Sequence, residues 1–193
     1  MTRTQLRFFS CAALLGLLTA CGGTGTNYYR LDATAPATAT GAAASEISVA
    51  IGPVSLPSYL DRAEVVFATG PNEFQVPADA LWIGSLRDNI SRTVAADLGR
   101  LLGSGKVSSG SEGASRPRYR VVLNIRKFHG ISGQGAILDL SWKVQDGSSG
   151  QVHSRQSAVF HEQIIGDGYG PLVAAESRLL EQCAAAIAQS LLR

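Results

Sequence analysis

Apolar and polar residues alternate almost without a break from Tyr119 to Gln163. Tyr119, Val121, Leu123 and Ile125 take one side, while Arg118, Arg120, Asn124 and Arg126 take the other. Ala136, Leu138, Leu140, Trp142 and Val144 then alternate with Asp139, Ser141 and Lys143. The turn Asp146-Gly147-Ser148-Ser149-Gly150 leads into a third run, Gln151 to Gln163. Strand side chains repeat every two residues, so this pattern builds a sheet with one buried and one wet face. Turns this short join antiparallel neighbours.

Two other stretches carry the helical period. Trp82, Leu86, Ile90, Val94, Leu98 and Leu101 recur every three or four residues, the stripe of an amphipathic helix. Asp79 is placed to cap its start and Gly103 to stop it. The second stripe is Leu172, Leu179, Leu180, Cys183, Ile187 and Leu191, with Pro171 expected as its first helical residue. Shorter extended segments are expected at Tyr28–Leu31, Glu46–Ile51, Ala63–Ala68 and Glu73–Val76. Ala33 to Ser45, rich in Ala and Thr, and 103–117, rich in Gly and Ser, read as loops. The expected fold is therefore α+β in two layers, with two helices on one face of a mainly antiparallel sheet. The expected order is roughly β-β-β-α-β-β-β-α.

The first twenty residues follow another logic. Arg3 and Arg7 precede an apolar run from Phe8 to Leu18, too short for a bilayer core, which takes about 20 residues. It has the length of a signal-peptide hydrophobic region. Leu18-Thr19-Ala20-Cys21 is a lipobox: an apolar residue, two small ones, then the thiol that takes the lipid. Residues 1–20 are expected to be a lipoprotein signal peptide and Cys21 the acylated first residue of the mature chain. Each buried methylene contributes roughly 0.8 kcal/mol, so two or three acyl chains hold permanently. Residues 21–27 then form a flexible tether and 28–193 a single domain. Gly22, where an aspartate favours inner-membrane retention in enteric bacteria, points to the outer membrane, anchored on its periplasmic face.

Charge narrows the partners. Of the 17 basic residues, Arg3 and Arg7 leave with the leader, so 15 face 15 acidic ones. Such a neutral body has no electrostatic footprint for nucleic acid. Of the three cysteines, Cys11 is discarded and Cys21 acylated, leaving Cys183 as a lone, buried core thiol.

No motif supplies chemistry. Gly103-Ser104-Gly105-Lys106 has Arg100 where a phosphate-binding loop needs its first glycine, and Val107 where it needs a hydroxyl. Gly130 to Gly135 sits between two strands and reads as a hairpin. Gly166-Asp167-Gly168-Tyr169-Gly170 precedes a helix and could offer backbone N–H groups to an anion, but reads first as a flexible entry to that helix. His153 and His161 share a strand but stand about 26 Å apart, too far for one metal ion. No Gly-x-Ser-x-Gly elbow is present. No catalytic, cofactor or metal site is expected, and the chain is expected not to be an enzyme; its one modification is the lipid on Cys21. Trp82 and Trp142 read as core. Tyr28 and Tyr29 are adjacent, so a strand turns one of them outward.

The segment Ile51-Gly52-Pro53-Val54-Ser55-Leu56-Pro57-Ser58-Tyr59-Leu60-Asp61-Arg62, with Tyr28-Tyr29-Arg30-Leu31 after the lipobox, resembles the PqiC/YmbA family. These are auxiliary lipoproteins of ABC-type intermembrane transport systems that work with MCE-domain proteins. Ala63 stands where the family would place a proline, and the loop from Ala33 is longer. The resemblance implies a non-enzymatic docking component of an MCE-type lipid transport system, with an MCE-domain protein as partner. MCE proteins form rings and tubes, so a homo-oligomer is a further expectation. The alternative expectation is a lipid-binding or assembly lipoprotein that holds an acyl chain in its own core.

Overall fold

The computed structural model describes residues 25–37, 46–110 and 117–192. The leader, Cys21 and most of the tether lie outside the described residues, as do 38–45 and 111–116 of the two long loops. The elements run β1 (Asn27–Tyr29), β2 (Val49–Ser55), β3 (Phe67–Gly70), β4 (Glu73–Gln75), β5 (Ala80–Trp82) and α1 (Leu86–Leu102). Then follow β6 (Val107–Ser109), β7 (Tyr119–Ile131), β8 (Gly135–Asp146), β9 (Val152–Glu162) and α2 (Tyr169–Leu191).

Strand β7 organises the molecule. At 13 residues it is roughly 43 Å long, enough for two short strands to share one of its sides. Its first half pairs in parallel with β2 and its end pairs in parallel with β3. On the other side β8 and then β9 follow antiparallel over nearly their whole lengths. β6 extends the sheet beyond β2 and β4 extends it beyond β3. The seven-stranded sheet is thus mixed: the expected antiparallel meander is one side of it, and parallel pairs make the other.

Both helices lie on one face, α1 over β2 and β6, α2 over β8 and β9. This is the two-layer α+β plan expected. Between the layers Ile90, Val94, Leu98, Leu179, Leu180, Cys183 and Ile187 meet Val121, Leu123, Leu138, Leu140 and Trp142 in one continuous core. Leu31, at 0% exposure, joins the same core. Its carbonyl accepts from Thr93 Oγ1, and the Asp32 N–H donates to Ser177 Oγ, so this segment straps across both helices. The strap continues where a surface loop was expected. Ala35 is buried and its N–H donates to Asp97 Oδ1 at 2.8 Å.

Helix α1 begins later than its periodicity suggests. Its cap is Ser85, whose Oγ accepts from the Asp88 N–H at 3.0 Å, not Asp79. Trp82 belongs to β5, which pairs in parallel with β1. Spacings of four between 82, 86 and 90 fit a helix, but an in-facing strand residue followed by Gly84 at φ 76° buries the same indole. Gly103 ends the helix as expected, at φ 59°. Its N–H reaches Arg100 O and that of Ser104 reaches Gly99 O, satisfying two orphan carbonyls. The last turn buries Leu102 fully and leaves Leu101 half-buried. Helix α2 starts at Tyr169, two residues before Pro171. Pro171 is harmless there, because the first four N–H groups of a helix have no intrahelical partner.

Candidate docking surface

The helices cover one face of the sheet and leave the other open. Along β9 Arg155, Ser157, Val159 and His161 are exposed on this side, while a register shift leaves His153 as an extra residue whose ring meets Tyr119 at 5.6 Å. Their neighbours extend the face in rows across the strands. Lys127, Asp139 and Val159 form one row, Asn124, Ser141 and Ser157 the next, and Val122, Lys143 and Arg155 a third. Arg120 and Gln145 follow.

A bulge shapes this surface. Ile125 stands opposite Leu140 but Lys127 opposite Asp139, so Arg126 is the extra residue on β7. An inserted residue shifts the alternation by one. Phe128 therefore turns into the core while Arg126 and Lys127 both stay exposed. Arg126 folds over to Asp139, with Nε at 3.0 Å and Nη2 at 2.5 Å from Oδ1, and Nη2 also reaches Leu140 O. The carboxylate is thereby committed. Arg120, Lys127, Lys143 and Arg155 have no carboxylate partner among the described residues, so the open face is cationic.

The segment Gly52 to Arg62 closes one end of this face. Pro57 O accepts from the N–H groups of Leu60 and Asp61, which turns the chain. Leu60 is then buried and Asp61 meets Arg87 of α1 at 2.5 Å. Arg87 also donates to Val54 O, locking the segment to the helix layer. Tyr59 crosses to the open side. Its ring packs against Phe74 at 5.2 Å and His129 at 5.9 Å, and Phe74 meets His129 at 5.3 Å. Tyr59 Oη lies 3.2 Å from His129 Nδ1 and donates to Arg126 O at 3.3 Å.

This aromatic cap leaves His129 4% exposed. Burial, helped by nearby Lys127, pulls its imidazole down to about 4, so it is neutral at pH 7. Burial, with Asp139 near, pushes the Tyr59 hydroxyl up to about 12. Both groups are held neutral and hydrogen-bonded, which makes the pair a plug rather than an acid–base couple.

The remaining candidates resolve into structure. Among the described residues no group of three His, Cys, Asp or Glu side chains could hold a metal ion. His129 and His161 both face Ile137 across a row of three strands, roughly 10 Å apart at two strand spacings. Gly103 is the helix stop and Lys106 pairs with Glu46. Gly130 to Gly135 is the β7–β8 hairpin, as expected, closed by the Gln134 N–H to Ile131 O. Cys183 is fully buried, as expected, and its thiol is pushed up to about 12 by burial.

Two clefts remain. One of about 690 Å³ lies between that hairpin and the loop before α2, lined by Phe67, Ile131, Ile164, Leu172, Asp167 and Gly168 among others. Asp167 at the helix entry opposes an anion there. The other, about 810 Å³, runs beside β1 along α2 and is lined by Tyr28, Arg30, Ile83, Val173 and Glu181. Both open to solvent and mix polar with apolar walls. An acyl chain held inside the core would need an enclosed apolar cavity, and neither cleft is one.

The β7–β9 half of this surface was legible from the alternation. The aromatic cap was not, because Tyr59, Phe74 and His129 are far apart in sequence. No helix among the described residues is long and apolar enough to cross a membrane.

The model of a family described as an ABC-type transport auxiliary lipoprotein component matches residues 29–188. A crystal structure of an uncharacterized protein superposes with a TM-score of 0.72, at 20% identity, covering 87% of this chain and 99% of its own. A Xanthomonas campestris protein of the DUF330 family superposes at 0.70, with 16% identity, covering 84% of this chain and 93% of its own. At these identities the likeness concerns the fold alone. No curated protein matches the sequence.

Proposed function

The chain belongs to the ABC-type transport auxiliary lipoprotein family, and from that premise we propose that it is a non-enzymatic docking component of an MCE-type intermembrane lipid transport system. In this reading Cys21 carries the lipid, the signal peptide 1–20 is removed, and residues 21–27 tether the body to the periplasmic face of the outer membrane. The partner is an MCE-domain protein, met by a body that itself assembles as a homo-oligomer.

The observation that carries the docking role is the open face of β7, β8 and β9. A sheet with a covered and a bare face is ordinary; a bare face with four cations lacking acidic partners among the described residues suits a partner surface rich in carboxylates. Such pairing steers encounter and weakens with salt. The paired strands supply a platform that holds the cations at set positions along the ladder.

The test is a photocrosslinking amino acid placed at Ser157 on the open face, with Ala96, exposed on α1, as the control position. The proposal expects an adduct containing an MCE-domain protein from Ser157 and little from Ala96, lost as salt is raised. Adducts from Ala96 alone would move the docking face to the helix layer, and no MCE protein in either would overturn the partner.

A further inference from the structure

The two-stranded ribbon of β1 and β5 breaks the rule the large sheet obeys. Its inward side is conventional: Tyr29 packs against the core and meets the Tyr169 ring at 6.4 Å, and Trp82 is buried. Its outward side should then be polar. Instead Tyr28 stands opposite Leu81, which Glu64, paired to Arg62, flanks on its other edge, and Ile83, whose N–H donates to Tyr29 O, continues the same side two residues on. Tyr28 is 62% and Ile83 54% exposed. Arg30 completes the row, and the 810 Å³ groove runs beside it.

We infer that this outward row, Tyr28, Arg30, Leu81 and Ile83, is the surface on which the folded body rests against the lipid headgroup boundary. The inference rests on the reading that Cys21 is acylated. Six peptide links join Cys21 to Asn27, so the ribbon lies at most about 21 Å from the anchored residue. For a Gly-rich segment of that length the r.m.s. separation is about 13 Å. The anchor therefore holds the ribbon within about 21 Å of the acylated residue, close enough to reach the interfacial zone.

The composition suits that zone. A tyrosine offers an apolar ring with a polar tip, Leu81 and Ile83 offer aliphatic surface, and Arg30 can reach the phosphate level with its stem along apolar atoms. Around the groove Arg30 and Arg178 lie with Asp32 and Glu181. Mixed charge of this kind fits zwitterionic headgroups better than a purely anionic ligand. The contact needs little affinity of its own, because the lipid anchor makes it intramolecular. Its consequence is orientation: a body pinned at both the acyl chains and the ribbon cannot tumble.

The experiment uses the full acylated protein in vesicles of phosphatidylethanolamine and phosphatidylglycerol, a fraction of whose acyl chains is brominated. An environment-sensitive fluorophore is attached at Ile83→Cys or, as a control, at Val159→Cys on the open sheet face; buried Cys183 stays unlabelled. The inference expects bromolipid to quench the Ile83 label at least threefold more than the Val159 label. Equal quenching, or stronger quenching at Val159, overturns it. A label at Ile83 shielded from an aqueous quencher yet untouched by bromolipid means that protein covers the ribbon, and overturns the lipid assignment too. If the protein does not float with the vesicles, the anchor itself fails and takes this inference with it; flotation with an unquenched ribbon sinks the inference alone.

Discussion

The two faces of the large sheet share one set of backbone hydrogen bonds and differ in almost everything else. Beneath the helices, Leu123, Leu138, Leu140 and Val144 are 0–1% exposed. On the same strands, one residue along, Asn124, Lys127, Arg155 and Ser157 face water. The ladder holds both faces in register, so stability belongs to the covered side while the open side is free to carry recognition. Two residues blur that division. His129 is buried on the open side by the Tyr59–Phe74 cap, and Glu176 is buried with its Oε2 lacking a hydrogen-bond partner among the described residues.

The contrast can be broken most severely from below. Leu140→Ala should cost about 3 kcal/mol, the transfer and cavity terms of a fully buried leucine, read as a fall in the urea midpoint at pH 7. If the midpoint barely moves, the covered face is not the source of stability.

The cap gives the next effect. His129 titrates near 4 when folded against an ordinary 6.5. Between those values the unfolded chain takes a proton that the fold refuses, so stability is full above pH 6.5 and falls as the pH drops toward 4. From pH 7 to pH 5 the loss assigned to this residue should be about 2 kcal/mol. Denaturation at both pH values should show it, and His129→Phe should flatten the difference.

Glu176 tests the opposite sign. Full burial raises its carboxyl well above the usual range, so the folded protein keeps it neutral where the unfolded chain ionises. That penalises the fold as pH rises above the ordinary glutamate value. Glu176→Met should stabilise the protein at pH 7, and the gain should shrink on acidification. A destabilised Glu176→Met at pH 7 would mean that the carboxyl has a partner worth keeping.

The smallest change is expected on the open face. Ser157→Ala should leave the midpoint within about 0.5 kcal/mol of wild type. A loss comparable to that of Leu140→Ala would erase the distinction between the faces.

Much of this was legible because local pattern and tertiary burial agree over long stretches. Strand β8 and helix α2 each repeat one period for ten residues or more, β7 and β9 do so up to their bulges, and Gly103 has one obvious use. Short segments resisted for the converse reason. Residues 80–82 and 107–109 hold three residues each, too few to show a period, and Trp82 was in phase with the helix stripe that follows it. The bulge at Arg126 was hidden too, since an exposed arginine beside an exposed lysine looks like any polar pair. The Gly52 to Arg62 segment stood out by its residues, but its work emerged only with Arg87 and His129 in place.

The order of residues alone determined the leader pattern, the two amphipathic helices and the alternating meander, because each depends on spacing within one segment. Folding decided which strands lie in parallel beside β7, that Tyr59 reaches His129, and that Tyr28 rather than Tyr29 faces outward. Those outcomes depend on which distant surfaces compete for the same apolar neighbours. That competition is settled by packing the whole chain at once, and no single window of sequence contains it.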